Sequence, residues 1–155
     1  MELDTLILAD AASTPNDKFY IHGGGFSRYE LPGLPAPMPL GVLLRVRVSE
    51  ADMKTEHVFR IAFIGPTGLP NVPPVDLVAF PPEEIPPLLP GEERFAHVAL
   101  QIPAMAVREG LYHLELHIDG ELARKIPLPV VVTGEVGDVV TEHEWPQPPQ
   151  SPGDS

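Results

Sequence analysis

The sequence predicts an all-β protein: a single antiparallel β-sandwich of seven or eight strands, C2- or immunoglobulin-like, with a closed β-barrel as the alternative. Three observations carry this. Proline makes up 21 of the 155 residues, far above the usual ~5%, and each proline inside a helix costs about 3 kcal/mol. Between the proline clusters, at residues 32–39, 66–90 and 146–152, no stretch sustains a 3.6-residue period. The stretches that remain alternate with period 2, and one apolar face against one polar face is the mark of antiparallel strands.

In chain order, residues 5–9 and 18–23 are short, weak strands. Residues 42–48 set Val42, Leu44, Val46 and Val48 against Arg45 and Arg47. Residues 57–64 put Phe59, Ile61 and Phe63 together, and 75–80 follow as a weak strand. Residues 95–102 place Val98, Leu100 and Ile102 opposite His97 and Gln101. The clearest alternation is at 111–118, where Tyr112, Leu114, Leu116 and Ile118 oppose His113, Glu115 and His117. Residues 122–132 carry Ile126, Leu128, Val130 and Val132. Pro127 and Pro129 lie two apart, so their missing N–H groups share a side and this strand is predicted to be an edge, at least beyond Ile126.

The hairpin at Asp119-Gly120 poses a register problem. A plain two-residue loop pairs Ile118 with Glu121 and sets His113 opposite Ile126, mixing polar and apolar faces. A three-residue loop, Ile118-Asp119-Gly120, is therefore expected. It places Leu116 opposite Leu122 and Tyr112 opposite Ile126, with Gly120 left-handed.

Residues 1–133 form the expected domain. Residues 134–155 hold five acidic and no basic residues and are rich in proline, so they are expected to be a disordered tail with polyproline II bias. The spacings Pro146 to Pro149 and Pro149 to Pro152 could dock an aromatic groove, but basic flanks are missing.

Composition excludes several functions. The net charge of −12 opposes binding to phosphate backbones and to anionic membranes, so neither a nucleic acid nor a membrane is an expected partner. No run approaches the ~20 apolar residues of a membrane span. Met1-Glu2-Leu3-Asp4 lacks the basic start of a secretory signal, which makes the cytoplasm the expected location. With no cysteine there is no disulfide, thiolate nucleophile or cysteine metal site.

Three constellations are candidate binding surfaces. His22-Gly23-Gly24-Gly25 resembles the oxyanion loop of esterases, but no serine lies in the Gly-x-Ser-x-Gly context that chemistry needs; a strand bulge or bend is the reading that accounts for the glycines. Arg45 and Arg47 share a strand face, with Arg60 on a possible neighbour. They could hold a carboxylate or phosphate, or pair with the many acidic residues. His113, Glu115 and His117 share another face. Along a strand the two histidines stand about 13 Å apart, too far for one ion with bonds near 2.1 Å, so no metal and no cofactor are expected.

The run Leu3-Asp4-Thr5-Leu6-Ile7-Leu8-Ala9-Asp10-Ala11-Ala12 is distinctive. So are Phe19-Tyr20-Ile21-His22-Gly23-Gly24-Gly25, Leu34-Pro35-Ala36, and the hairpin from Gly110-Leu111-Tyr112 to Ile118-Asp119-Gly120-Glu121-Leu122-Ala123. Together they resemble a family of small bacterial proteins known only as a domain of unknown function, over about residues 3–132. The resemblance implies a bacterial cytoplasmic β-sandwich and carries no catalytic residue.

The expectation is a non-enzymatic binding or protein-interaction module whose partner is another protein. The rivals are a small hydrolase or metal-dependent enzyme using His22 with the His113, Glu115 and His117 face, and a structural subunit that self-associates through a sheet edge into a homo-oligomer.

Overall fold

The structure, a computed structural model, describes residues 1–134. Ten strands follow in chain order: β1 (Glu2–Ala9), β2 (Ala11–Ser13), β3 (Tyr20–His22), β4 (Tyr29–Leu31), β5 (Ala36–Arg47), β6 (His57–Ile64), β7 (Val75–Ala79), β8 (Phe95–Ala106), β9 (Gly110–Ile118) and β10 (Glu121–Val132). They make a three-stranded sheet β1-β5-β8, a five-stranded sheet β4-β10-β9-β6-β7 and the small hairpin β2-β3. The protein is all-β with several sheets, one of them curled into a half-barrel. Two short 3-10 turns, Pro15–Asp17 and Asp52–Lys54, are the only helical elements among the described residues, and no helix there is long and apolar enough to cross a membrane.

Period-2 alternation builds the core. Val42, Leu44, Val46, Ile102 and Ala104 of the small sheet share one cluster with Phe59, Ile61, Phe63, Leu114, Leu116 and Leu128 of the large sheet. Burying each such large side chain contributes about 1.5–3 kcal/mol. Tyr112 is fully buried with its ring stacked on Phe63, centroids 5.5 Å apart. Its hydroxyl donates to the Arg108 carbonyl at 3.0 Å, so the polar tip is not left unsatisfied.

The other face of the small sheet is partly covered as well. Ala9 and Leu43 are fully buried there because β2 crosses over β5. A Cβ on Gly41 would stand 2.8 Å from the backbone of Ala11 and Ala12, so only glycine admits this crossing.

Several expectations need correction. Strands β2 and β4, three residues each, are too short to leave a periodic trace, so ten strands replace seven or eight. The large sheet is not purely antiparallel, since β4 pairs with β10 in parallel. Strand β5 starts at Ala36, with Pro37 and Pro39 inside it. β8 continues past Ile102, through Pro103, to Ala106.

The hairpin register differs outright. Ile118 pairs with Glu121, so the loop is the two-residue Asp119-Gly120. Both residues have positive φ, 52° and 85°, as the turn favoured by strand twist requires. The conflict of faces is real, but a bulge resolves it: Ala123 is skipped between Leu122 opposite His117 and Arg124 opposite Leu116. From there Ile126 faces Leu114 and Leu128 faces Tyr112, apolar on apolar.

β10 is an edge through Pro129, where it pairs only with β9, but at residues 130–132 it gains β4. The Val132 N–H turns toward Glu109, just before β9, and the Thr133 N–H turns to Leu31 of β4. Odd-numbered donors of this strand therefore face the β4 side. Pro127 and Pro129 withhold theirs where that side is still open. The expected tail of 134–155 lies, from residue 135 onward, outside the described residues.

Candidate functional site

The glycine string closes the end of β1. Gly25 donates its N–H to Leu8 O at 3.1 Å, and Asp10 donates to His22 O at 3.0 Å. Gly23 has φ 61°, and a Cβ there would fall 1.9 Å from the Asp10 carboxylate. A Cβ on Gly24 would meet Ile21 at 2.6 Å. Close packing against the Asp10 and Ile21 side chains thus explains Gly23 and Gly24, and among the described residues no hydrogen bond joins a serine to His22.

Arg45 and Arg47 point from the small sheet's outer face. Arg47 pairs with Glu2 at 3.1 Å and Glu93 at 3.2 Å, and Arg45 with Asp4 at 3.4 Å. The Arg45 guanidinium lies 3.6 Å over the Phe95 ring. Both cations are matched by carboxylates on neighbouring strands or the preceding loop. Arg60 stands on a different sheet, 3.7 Å from Asp76.

His113, Glu115 and His117 share the outer face of β9. The Glu115 carboxylate sits 3.2 Å from His113 Nε2 and 3.2 Å from Lys125 Nζ. His117 stands opposite Arg60 and Leu122, and its buried Nδ1 has no hydrogen-bond partner. Among the described residues no three His, Asp or Glu side chains converge as metal ligands would. The three constellations occupy separate surfaces, with His22 beside the small sheet and His113 on the large one.

A polar cluster that sequence reasoning missed ties the Asp119 turn to the start of β6. His57 Nδ1 lies 2.7 Å from Asp119 Oδ2, while Nε2 lies 2.9 Å from the Asp52 carbonyl and 3.1 Å from Thr55 Oγ1. Asp119 also accepts the Val58 N–H at 2.9 Å and donates its own to Val58 O. The bond from Asp119 holds the His57 pKa above its ordinary value, against a smaller opposing effect of burial. The same bond, then the Val58 amide, holds Asp119 below its own.

The row Asp119, His57, Thr55 has the look of a carboxylate–imidazole–hydroxyl triad, but its protons are wrong for one. A carbonyl can only accept, so Nε2 carries hydrogen toward Asp52, and Nδ1 carries hydrogen toward Asp119. An imidazolium has no lone pair with which to take the Thr55 proton. The cluster is a clamp on the hairpin. No sequence pattern announces it, because the partners lie 62 residues apart.

The molecule's two ends differ from its faces. At the end where β7 stops and β8 starts, residues 80–94 form a long loop. There Glu92 donates its N–H to Leu89 O at 3.0 Å across Pro90 and Gly91, whose φ is 83°. Proline then glycine with positive φ fits a type II turn. The Glu92 carboxylate accepts the Leu89 N–H at 2.8 Å, and Arg94 donates to the Pro86 carbonyl. Phe80 is 72% and Leu89 74% exposed. The loop walls a cleft of about 610 Å³ with Arg47, Val48 and Met1, whose ammonium lies 2.8 Å from Asp52.

The opposite end carries a groove of about 300 Å³ lined by Pro66, Leu69, Pro70, Met105, Val107 and Arg108. Asn71 closes its β8 side, accepting the Met105 N–H and donating to the Met105 carbonyl.

Residues 4–131 match the family of unknown function DUF6941. The chain belongs to this family. No curated protein and no solved structure matches it. The DUF6941 span takes in the His22 string, both arginines, the β9 face, the His57 clamp, the proline-rich loop and the groove. The resemblance expected from the sequence is therefore met at the level of an uncharacterised domain.

Proposed function

We propose that this DUF6941 chain is a non-enzymatic protein-interaction module whose partner docks on the loop of residues 80–94. One observation carries the reading: the loop offers Leu88 and Leu89 to solvent from a turn that is already fixed. Pro86, Pro87 and Pro90 restrict the backbone, and the Leu89–Glu92 bonds close the turn. A loop ordered before binding loses little entropy on binding, which is where affinity is usually spent. A fifteen-residue stretch without regular structure, yet pinned by hydrogen bonds from Pro86 to Arg94, fits a recognition loop better than a plain connection.

In this reading the three-stranded and five-stranded sheets act as one sandwich-like scaffold, and the protein works in the bacterial cytoplasm. Its acidic surface turns away nucleic acid and anionic lipid. The His57 clamp is structural, and the β9 face is a half-buried polar surface.

The test is capture from cells that make the protein. Full-length chain as bait should retain a partner that Leu89→Asp loses and that Lys125→Glu, on a distant face, keeps. Equal capture by Leu89→Asp would refute the assignment to this loop.

A further inference from the structure

We infer that the groove lined by Leu69, Met105, Val107 and Arg108 receives the Leu88-Leu89 turn of a second copy of this chain, so that copies join head to tail. This rests on the interaction-module reading and names its partner.

The two surfaces are complementary in shape and charge. The turn is convex, apolar at its tip and flanked by Glu83, Glu84, Glu92 and Glu93, of which Glu93 is held by Arg47. The groove is concave, with Leu69 68% and Val107 62% exposed at its rim. No carboxylate lines it, and its one charge, Arg108, has no salt-bridge partner among the described residues. Glu109, the nearest acid in sequence, turns to the Val132 amide at 2.6 Å and forms no ion pair with Arg108. On a chain of net charge −12, an apolar groove with a single uncompensated cation is where an acidic, leucine-tipped loop meets the least repulsion.

The same molecule cannot close this contact on itself. Strand β8 starts beside the loop at Phe95 and reaches the groove at Met105, about 33 Å away at a strand's rise. Leu89 is six residues from Phe95, a reach of at most about 22 Å. Turn and groove therefore lie beside opposite ends of one strand, out of reach of each other. We take the contact as made once per pair of copies, which makes it heterologous: it then propagates as a chain or closes as a ring.

Sedimentation of the full-length protein, from about 10 μM to about 1 mM, covers even weak specific contacts. The average mass should climb past twice 16.8 kDa. Leu89→Asp spoils the turn's tip and leaves its backbone bonds. Arg108→Glu spoils the groove and leaves the carbonyl that Tyr112 uses. Each variant alone should stay monomeric. An equimolar mixture, with one intact turn and one intact groove, should double in mass and go no further.

A wild type that is monomeric throughout, as it would be were the groove filled by residues 134–155 of its own chain, overturns the proposal. So does association that survives in either variant alone, or a mixture that stays monomeric. Those results leave the module reading to its own test, loss of partner capture by Leu89→Asp; if that capture is also unaffected, both readings fail.

Discussion

His57 is the residue whose chemistry most directly sets a measurable property. Its folded-state pKa lies above the ordinary 6.5, so folding favours the protonated ring. That contribution is complete below 6.5 and fades as pH rises through the raised value. Asp119 is held below its ordinary 3.8, so its contribution is complete above 3.8 and fades as pH falls through the lowered value. The clamp is thus at full strength between about pH 4 and 6.5. His57→Ala should cost about 1–2 kcal/mol in that window, the worth of a charge-assisted bond at a partly exposed site. The deficit should shrink by pH 9. Urea unfolding of both proteins across pH reads this, and a deficit constant from pH 4 to 9 would contradict the charge assignment. Gly41 offers a second test. An added Cβ meets only backbone at 2.8 Å, which cannot rotate away, so Gly41→Ala should lose about 1–3 kcal/mol. Gly24→Ala meets the Cγ2 methyl of Ile21 at 2.6 Å, a side-chain atom that a turn about χ1 can shift, and should cost less. The reverse order in thermal melts would mean that β2 does not press on β5.

At the scale of the element, the β9–β10 hairpin sets twist and face against each other. A two-residue turn satisfies the twist, and the Ala123 bulge then moves the downstream residues onto the correct face. Deleting Ala123 removes the extra residue and keeps Ile126 opposite Leu114, so it should cost less than about 1 kcal/mol. Inserting one alanine after Ala123 demands a wider bulge or turns Ile126, Leu128 and Val130 outward. That should cost at least about 3 kcal/mol, since each large side chain is worth about 1.5–3 kcal/mol when buried. Denaturant midpoints of the two variants decide the matter, and equal losses would sink the register argument. The hairpin also marks how far sequence reasoning reaches. The conflict between polar and apolar faces was legible, because alternation fixes which residues must be buried. Its resolution was not, because turn and bulge shift the register equally and differ only in three-dimensional twist. For the same reason the long strands were readable from period 2, while β2 and β4 contain too few residues to show a period. Of the candidate sites, the pairing of Arg45 and Arg47 with acids was the reading the sequence favoured, because acidic residues outnumber basic ones 22 to 10. The His57 clamp joins residues from two distant turns, and the groove depends on which loops gather at one end; neither leaves a local pattern.

At the scale of the whole molecule, proline placement guards the open sheet edges. Pro37, Pro39 and Pro103 lie where β5 and β8 pair without hydrogen bonds, since Met105, opposite Pro37, turns both backbone groups to Asn71. Each of these prolines, like Pro127 and Pro129, withholds an N–H from an outer side of its strand, so no ladder bond is lost. A row of donors there would invite another strand, and proline removes the row at little cost. The double change Pro127→Val and Pro129→Val supplies two donors and two β-branched side chains to the unpaired side of β10. Stability of the monomer should change by no more than about 0.5 kcal/mol, as for surface sites outside the core. Solubility should fall, most steeply in high salt, where the net charge of −12 no longer keeps molecules apart. Light scattering against time at 37 °C, with the wild type as reference, measures this. A variant that stays clear in high salt would place the protection of this edge in charge and strand length and not in the two prolines. A variant that loses several kcal/mol would mean that the prolines set the course of β10 toward β4.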